Sequence, residues 1–281
     1  MISLMVLLIG LLTAIACAIP GTYLVLRRMS MMSDAISHSV LPGIIIAFLI
    51  VLDRSSPFII LGAALSGLLM VYLTELISRS KLVKTDASIG LVFPGLFSIG
   101  VILISMQMSS VHFHEHSVLV GDITLSALNN LVIDGVDYGP KSLYILGSVI
   151  MINLLFIIIF FKELNITTFD PQISAVLGFK NLTLHYLFMT IVSITAVASF
   201  DAAGSILVIA LFIVPAATAH LFTRTVISMI VWAIIFAIIS SISGFYLSIY
   251  FDAAVSGGIA VMCGVVFLLT LSLVKLKAIR V

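Results

Sequence analysis

A carboxylate and an imidazole stand four residues apart in "SDAISHSVLPG", at Asp34 and His38. On a helix this spacing puts both on one face, one turn apart. The apolar run "IIIAFLIVL" follows directly. Polar groups in hydrocarbon are expensive, and they face an interior cavity or one another. Two uses are open for the pair: a hydrogen bond that pins a helix start, or two ligands for a divalent cation. Carboxylate plus neutral imidazole suits manganese, iron or zinc, and the donor set lacks the thiolate of a soft-metal site. Two ligands do not complete a shell, so other segments would have to contribute.

Few residues are available to do so. His220 follows "IVPAATA" and reads as a packed, hydrogen-bonded histidine or as a ligand. Asp86 in "KTDASIG" reads as a helix N-cap or as a ligand. Glu75 can pair with Arg79, four residues on. In "HFHEH", His112, His114 and His116 would share one face of an extended segment, beside Glu115. That stretch is a solvated loop or an outer capture site, and it lacks the H-E-x-x-H spacing of a zinc protease. Asp122 in "VGDI" has no role that spacing assigns. Cys17 and Cys263 lie inside apolar runs and read as reduced packing residues.

The elements that must position these residues are membrane spans. Of 281 residues, 62% are hydrophobic and 9% charged, against about 25% charged in a soluble domain. Such a surface cannot face water, so the chain is expected to be an all-α integral membrane protein. A net charge of +1 leaves no basis for a nucleic-acid partner. Residues 2–26 lack a basic leader and exceed a signal-peptide core of about 7–15 residues, so they read as a retained first helix.

Nine apolar segments approach the roughly 20 residues that a span needs. They are 2–26, 32–52, 57–77, 87–107, 141–161, 183–200, 204–222, 226–249 and 255–274. Because "SFDAAGS" is either an outer loop or a break inside an embedded segment, the total is eight or nine. With "LRRMSMM" placed inside, only Arg54 and Lys141 of the 13 basic residues fall outside. This positive-inside bias sets the N-terminus outside and, with nine spans, the C-terminus inside. Pro20-Gly21, Pro42-Gly43, Pro94-Gly95 and Pro215 read either as close packing or as broken helices around a pathway. Residues 1–281 are expected to form one membrane domain.

One loop is built differently. In "NITTFDPQISAVLGF", Asp170 suits an N-cap, Pro171 the first helical position and Gly178 the position just past the end. About two helical turns lie between, with Ile173, Val176 and Leu177 apolar. This helix, at about 170–178, is either an ordinary connection or a docking element whose apolar residues, with Phe169, enter a groove on a cytoplasmic partner. The chain has no G-x-x-x-x-G-K-[ST] cradle. If ATP drives this protein, another subunit hydrolyses it.

Several stretches together resemble one family. "LVLRRMSMMSDAISHSVLPGIIIAFL" is similar to a signature of the ABC permeases that import manganese, zinc or iron(II) into bacteria. "TDASIGLVFPGLFSIGV" resembles the family's fourth-helix region, and "LVGDI" its L-x-G-D-I segment. "FDPQISAVLGF" resembles its coupling loop, and "GSILVIALFIVPAATAHLFTR" its P-A-A-T-A segment. The resemblance implies a permease fold like that of the cobalamin and siderophore importers, in a bacterial inner membrane. It implies three kinds of partner: a cytoplasmic ATP-binding subunit, an external metal-delivery protein and a second permease, identical or related. The metal is the cargo, and no permanently bound cofactor is implied. The family's metal aspartate and histidine fall on Asp34 and His38, and its coupling helix on Phe169 to Gly178. His220 and Asp86 are the further ligand candidates.

Manganese is the expected cargo, with zinc or iron(II) as alternatives. A gradient-driven metal carrier is a rival that would not need a docking helix. An intramembrane metalloenzyme would need a water-activating base beside the ligands, and the sequence offers no clear one.

Overall fold

The computed structural model describes residues 2–51, 57–80, 82–107, 123–133 and 136–279. In lipid each backbone N–H and C=O must find its partner internally, which drives apolar runs of this length into helices. The long helices are α1 (Ile2–Leu26), α4 (Pro57–Arg79), α5 (Thr85–Gln107), α7 (Lys141–Ile159), α10 (Asn181–Ala203), α12 (Val226–Phe251) and α13 (Val255–Ile279). The expected second span is divided into α2 (Met31–Ser39) and α3 (Leu41–Val51). Shorter pieces are α6 (Ile123–Ser126), α8 (Phe161–Phe169), α9 (Pro171–Val176) and α11 (Ser205–His220). Among the described residues eight segments are long and apolar enough to cross a membrane, with α2 and α3 together forming one of them. The chain is a multi-pass membrane protein.

The uncertain region around 183–222 resolves into α10 and α11, separated by Gly204 alone. Gly204 has φ 84°, a left-handed conformation that glycine adopts without a Cβ penalty. At 16 residues α11 is about 24 Å long, shorter than a hydrocarbon core of about 30 Å. The polar segment after α5 contains an antiparallel hairpin, β1 (Asn130–Ile133) with β2 (Val136–Pro140), where no strand was expected. His112, His114, Glu115, His116 and Asp122 lie outside the described residues.

Contacts divide the chain into two compact units. The first comprises residues 1–30, 119–170 and 199–281. Its core is built around α1, which packs on α7, α11 and α12. The proline-glycine pair at 20–21 does not interrupt α1. A Cβ on Gly21 would lie 2.1 Å from the Phe212 carbonyl oxygen, so the glycine lets α1 and α11 touch backbone to backbone. Gly244 does the same where α12 meets Ile259 of α13. Several buried polar groups find partners within this core. Asn153 donates to the Ala16 carbonyl at 3.1 Å, and Thr13 and Thr22 return their hydroxyls to Ile9 and Ala18.

The second unit comprises residues 31–118 and 171–198. It holds α2 to α5, α9 and most of α10. Pro42 and Gly43 sit at the start of α3, just after a break at Val40. A Cβ on Gly43 would stand 2.1 Å from the Gly62 carbonyl oxygen, so α3 and α4 also meet backbone to backbone. Leu41, Ile45 and Ile104 form a small core with Phe48, Phe97 and Val101 around it. Of the four proline sites, only Pro42 borders a break. Pro20, Pro94 and Pro215 ride inside continuous helices.

Candidate metal site and coupling helix

α2 carries the acid–imidazole pair. Met31 to Ser39 form about two and a half turns, which bring Asp34 and His38 to the same face. His38 Nε2 and Asp34 Oδ1 are 3.3 Å apart. Their side chains keep 35% and 37% exposure, while Ser33, Ala35, Ile36 and Ser37 around them are buried. Two ligand atoms about 2.1 Å from one ion stand roughly 3.0 Å apart at a right angle, and roughly 3.4 Å apart at the tetrahedral angle. The observed spacing therefore suits two adjacent ligands of one cation. It is also close enough for a weak hydrogen bond when the imidazole Nε2 carries the proton.

The pair's surroundings were not visible in the sequence. Phe93 and Phe97 of α5 flank the imidazole, with ring centroids at 6.1 and 6.3 Å. Phe97 lies edge-on and is anchored in turn among Leu41, Ile45 and Ile104. Directly behind His38, Ser66 of α4 donates to the Ser39 carbonyl at 2.6 Å. The end of α2 is thus pinned from α4 while α5 walls one side of the imidazole. The phenylalanine spacing at four residues was a signal, but an apolar residue on an apolar helix does not show its neighbour.

The other ligand candidates occupy different local settings. Asp86 is exposed in the first turn of α5, where its carboxylate complements the helix dipole. It follows Thr85, so it lies inside the helix and not at the N-cap. His220, in the first unit, is the last residue of α11 and is exposed. Glu75 accepts from Arg79 Nε at 2.9 Å, as the spacing indicated. Among the described residues no group of three or more His, Cys, Asp or Glu side chains is assembled for a metal. Cys17 and Cys263 are buried, and Cys17 Sγ lies 3.3 Å from Ser199 Oγ.

The capped helix forms where the spacing placed it. Pro171 opens α9, and Asp170 before it has an extended backbone, φ −141° and ψ 84°. At the far end Gly178 has φ 81°. Its N–H donates to the Ala175 carbonyl at 3.1 Å, and Phe179 N–H donates to the Ser174 carbonyl at 3.1 Å. These two bonds are a Schellman cap, which needs the left-handed glycine between them. Phe169, Ile173, Val176 and Leu177 are 63%, 55%, 88% and 59% exposed. In the second unit, Ile173, Val176 and Leu177 thus leave three large apolar side chains exposed on and just after one short, capped helix.

The preceding helix is fastened elsewhere. Within the first unit, Arg27 donates from Nε to Thr168 and from Nη2 to Thr167, at 3.0 and 3.2 Å. Tyr23 donates to Asn165 Oδ1 at 3.1 Å. Burial pushes the Arg27 guanidinium down to about 10, with the nearby Tyr23 opposing, so it stays charged at neutral pH. α8 is thereby bolted to the end of α1.

Known proteins resemble this chain along nearly its full length. The model of the ABC 3 transport family matches residues 2–275. The manganese transport system membrane protein MntD of Bacillus subtilis (strain 168) is 42% identical over 259 residues, covering 92% of this chain and 87% of MntD. The zinc transport system membrane protein TroD of Treponema pallidum (strain Nichols) is 42% identical over 264 residues, covering 94% of this chain and 72% of TroD. Among solved structures, PsaBC from Streptococcus pneumoniae in complex with Fab superimposes with a TM-score of 0.78 at 30% identity. That match covers 95% of this chain and 89% of the PsaBC chain.

Proposed function

The chain belongs to the ABC 3 transport family, and from that premise we propose that it is the permease subunit of an ATP-driven importer of divalent transition-metal ions, with manganese as cargo. The observation that carries this reading is the Asp34–His38 pair, 3.3 Å apart and pinned at a helix break. Its carboxylate and imidazole donors suit manganese, and neither cysteine supplies a thiolate to it. The similarity to MntD supports the same cargo. Zinc is the second reading, favoured by the equal identity to TroD. Affinity rises from manganese towards zinc at a given site, so selection against zinc would come from geometry or from delivery.

In this reading the ion sheds most of its water and is held by Asp34, His38 and groups from facing helices. His38 must be neutral at Nε2 to ligate, so a proton and the ion compete for it. The site holds the ion well enough to capture it and weakly enough to release it. Asp86 and His220 remain candidates for completing the shell as the protein changes state. The permease carries no resident cofactor. The positive-inside bias puts α9 in the cytoplasm of a bacterial cell, with the N-terminus outside. There α9 docks by Ile173, Val176 and the following Leu177 on a separate ATP-hydrolysing subunit, with Phe169 at the end of α8 a further candidate contact. A second permease copy, identical or related, and an external metal-binding protein complete the importer. A gradient-driven carrier would have no use for the capped, exposed α9.

The test is uptake of radioactive manganese by cells carrying Asp34→Asn or His38→Ala, with co-purification of the ATP-binding subunit measured in parallel. Both variants are expected to lose uptake and keep assembly. Wild-type uptake by both would remove the pair from the pathway.

A further inference from the structure

Within the second unit a single side chain fastens α9 to the next long helix. Asn181, the first residue of α10, donates from Nδ2 to the Pro171 carbonyl at 3.0 Å and accepts at Oδ1 from Ser174 Oγ. It grips both the start and the middle of α9. Ser174 is the buried residue of that helix, turned away from the apolar surface that α9 presents.

About 18 Å further along α10, the fully buried Ser193 donates to the Ala64 carbonyl of α4 at 3.2 Å. α4 has no side chain at this crossing. A Cβ on Gly67 would lie 2.2 Å from Ser193 Oγ and 3.1 Å from Ile36 Cγ2. Ile36 is fully buried and lies two residues from each of Asp34 and His38, on the opposite face of α2. One glycine of α4 therefore touches α10 on one side and the metal pair's own helix on the other. One position before it, Ser66 holds the last carbonyl of α2.

We propose that Asn181, Ser193 and Gly67 are positioning residues: they form a rigid link by which α9 sets the place of Asp34 and His38. The link rests on the reading of the pair and of α9 given above. Helices are stiff along their axes, and close-packed interiors pass a displacement on instead of absorbing it. Every contact of this link lies within the second unit. Movement of α9 therefore travels along α10, turns through Gly67 and arrives at Ile36, on the face of α2 opposite the two ligands. α8, just before α9 in sequence, is held to α1 by Arg27 and Tyr23 and has no part in this route.

The experiment uses the permease assembled with its ATP-binding subunit in lipid nanodiscs. The affinity for Mn²⁺ is measured with and without a non-hydrolysable ATP analogue. In the wild type the nucleotide is expected to change it by about 5- to 150-fold, the usual range for coupled sites. Asn181→Ala abolishes that change. Gly67→Ala, whose Cβ would fall 2.2 Å from Ser193 Oγ, and Ser193→Ala, which removes the bond to the Ala64 carbonyl, abolish it too. A full nucleotide effect in Asn181→Ala, or none in the wild type, overturns the link while leaving the metal pair in place. An Asp34→Asn/His38→Ala double variant that binds Mn²⁺ as tightly as wild type overturns the pair and the link together. Asn181→Ala cuts only a surface-proximal bracket, so the test survives if Gly67→Ala does not fold.

Discussion

Gly43→Ala is the most direct challenge to the close crossing that supports the metal pair. The added Cβ would fall 2.1 Å from the Gly62 carbonyl oxygen and 2.6 Å from Ser66 Cβ, where 3.0 Å is the practical minimum. α3 and α4 must then separate by about 0.9 Å, the shortfall between those two values. Overpacking of this kind costs about 1–3 kcal/mol. The displacement also exceeds the roughly 0.5 Å within which a binding constellation has to be held. It acts next to the Ser66–Ser39 bond and five residues beyond His38, so affinity falls along with stability. Gly147→Ala on α7 is the control, because a Cβ there meets nothing within 4 Å. The assays are thermal unfolding in detergent and Mn²⁺ titration of the purified permease complex. Gly43→Ala is expected to melt several degrees lower and bind Mn²⁺ more weakly, while Gly147→Ala matches wild type. If the two variants behave alike, the crossing does not support the site and the reasoning fails.

Gly178→Ala forces a side chain into a left-handed backbone at φ 81°, which costs about 1–2 kcal/mol. Amide exchange at Leu177 to Phe179 should speed up by about tenfold, read by hydrogen–deuterium mass spectrometry, and capture of the ATP-binding subunit should weaken. Phe97→Leu removes the edge-on ring against His38. An aromatic contact of about 0.5–1.5 kcal/mol predicts a loss of Mn²⁺ affinity of roughly 2- to 12-fold by calorimetric titration. An unchanged affinity would mean that the ring does not hold the imidazole. Glu75→Gln opens the exposed pair with Arg79. Surface pairs contribute little, so neither melting temperature nor uptake should change.

Much of this molecule could be read before any coordinates. The long helices follow from apolar runs, and most of their ends fall close to the expected positions. Asp34 and His38 face each other because four residues make one helical turn, a relation that needs no tertiary contact. The cap at Gly178 is equally local, set by glycine at the one position where the backbone turns left-handed. Even there the local rules had limits. Pro20, Pro94 and Pro215 looked as able to break a helix as Pro42, yet only Pro42 borders a break. Asp86 had the look of an N-cap and lies within the first turn.

What the sequence determined by itself is the set of spans, the acid–imidazole pair and the capped helix. Each depends on hydrogen bonds and side-chain spacings within a few residues along one element. Only the tertiary structure decided that Ser66 pins the end of α2, that Phe93 and Phe97 wall the imidazole, and that Gly67 lies between Ser193 and Ile36. The physical reason is that these contacts depend on where two helices cross. In a chain that is apolar almost throughout, a glycine or serine at a crossing carries no mark that distinguishes it from one facing lipid.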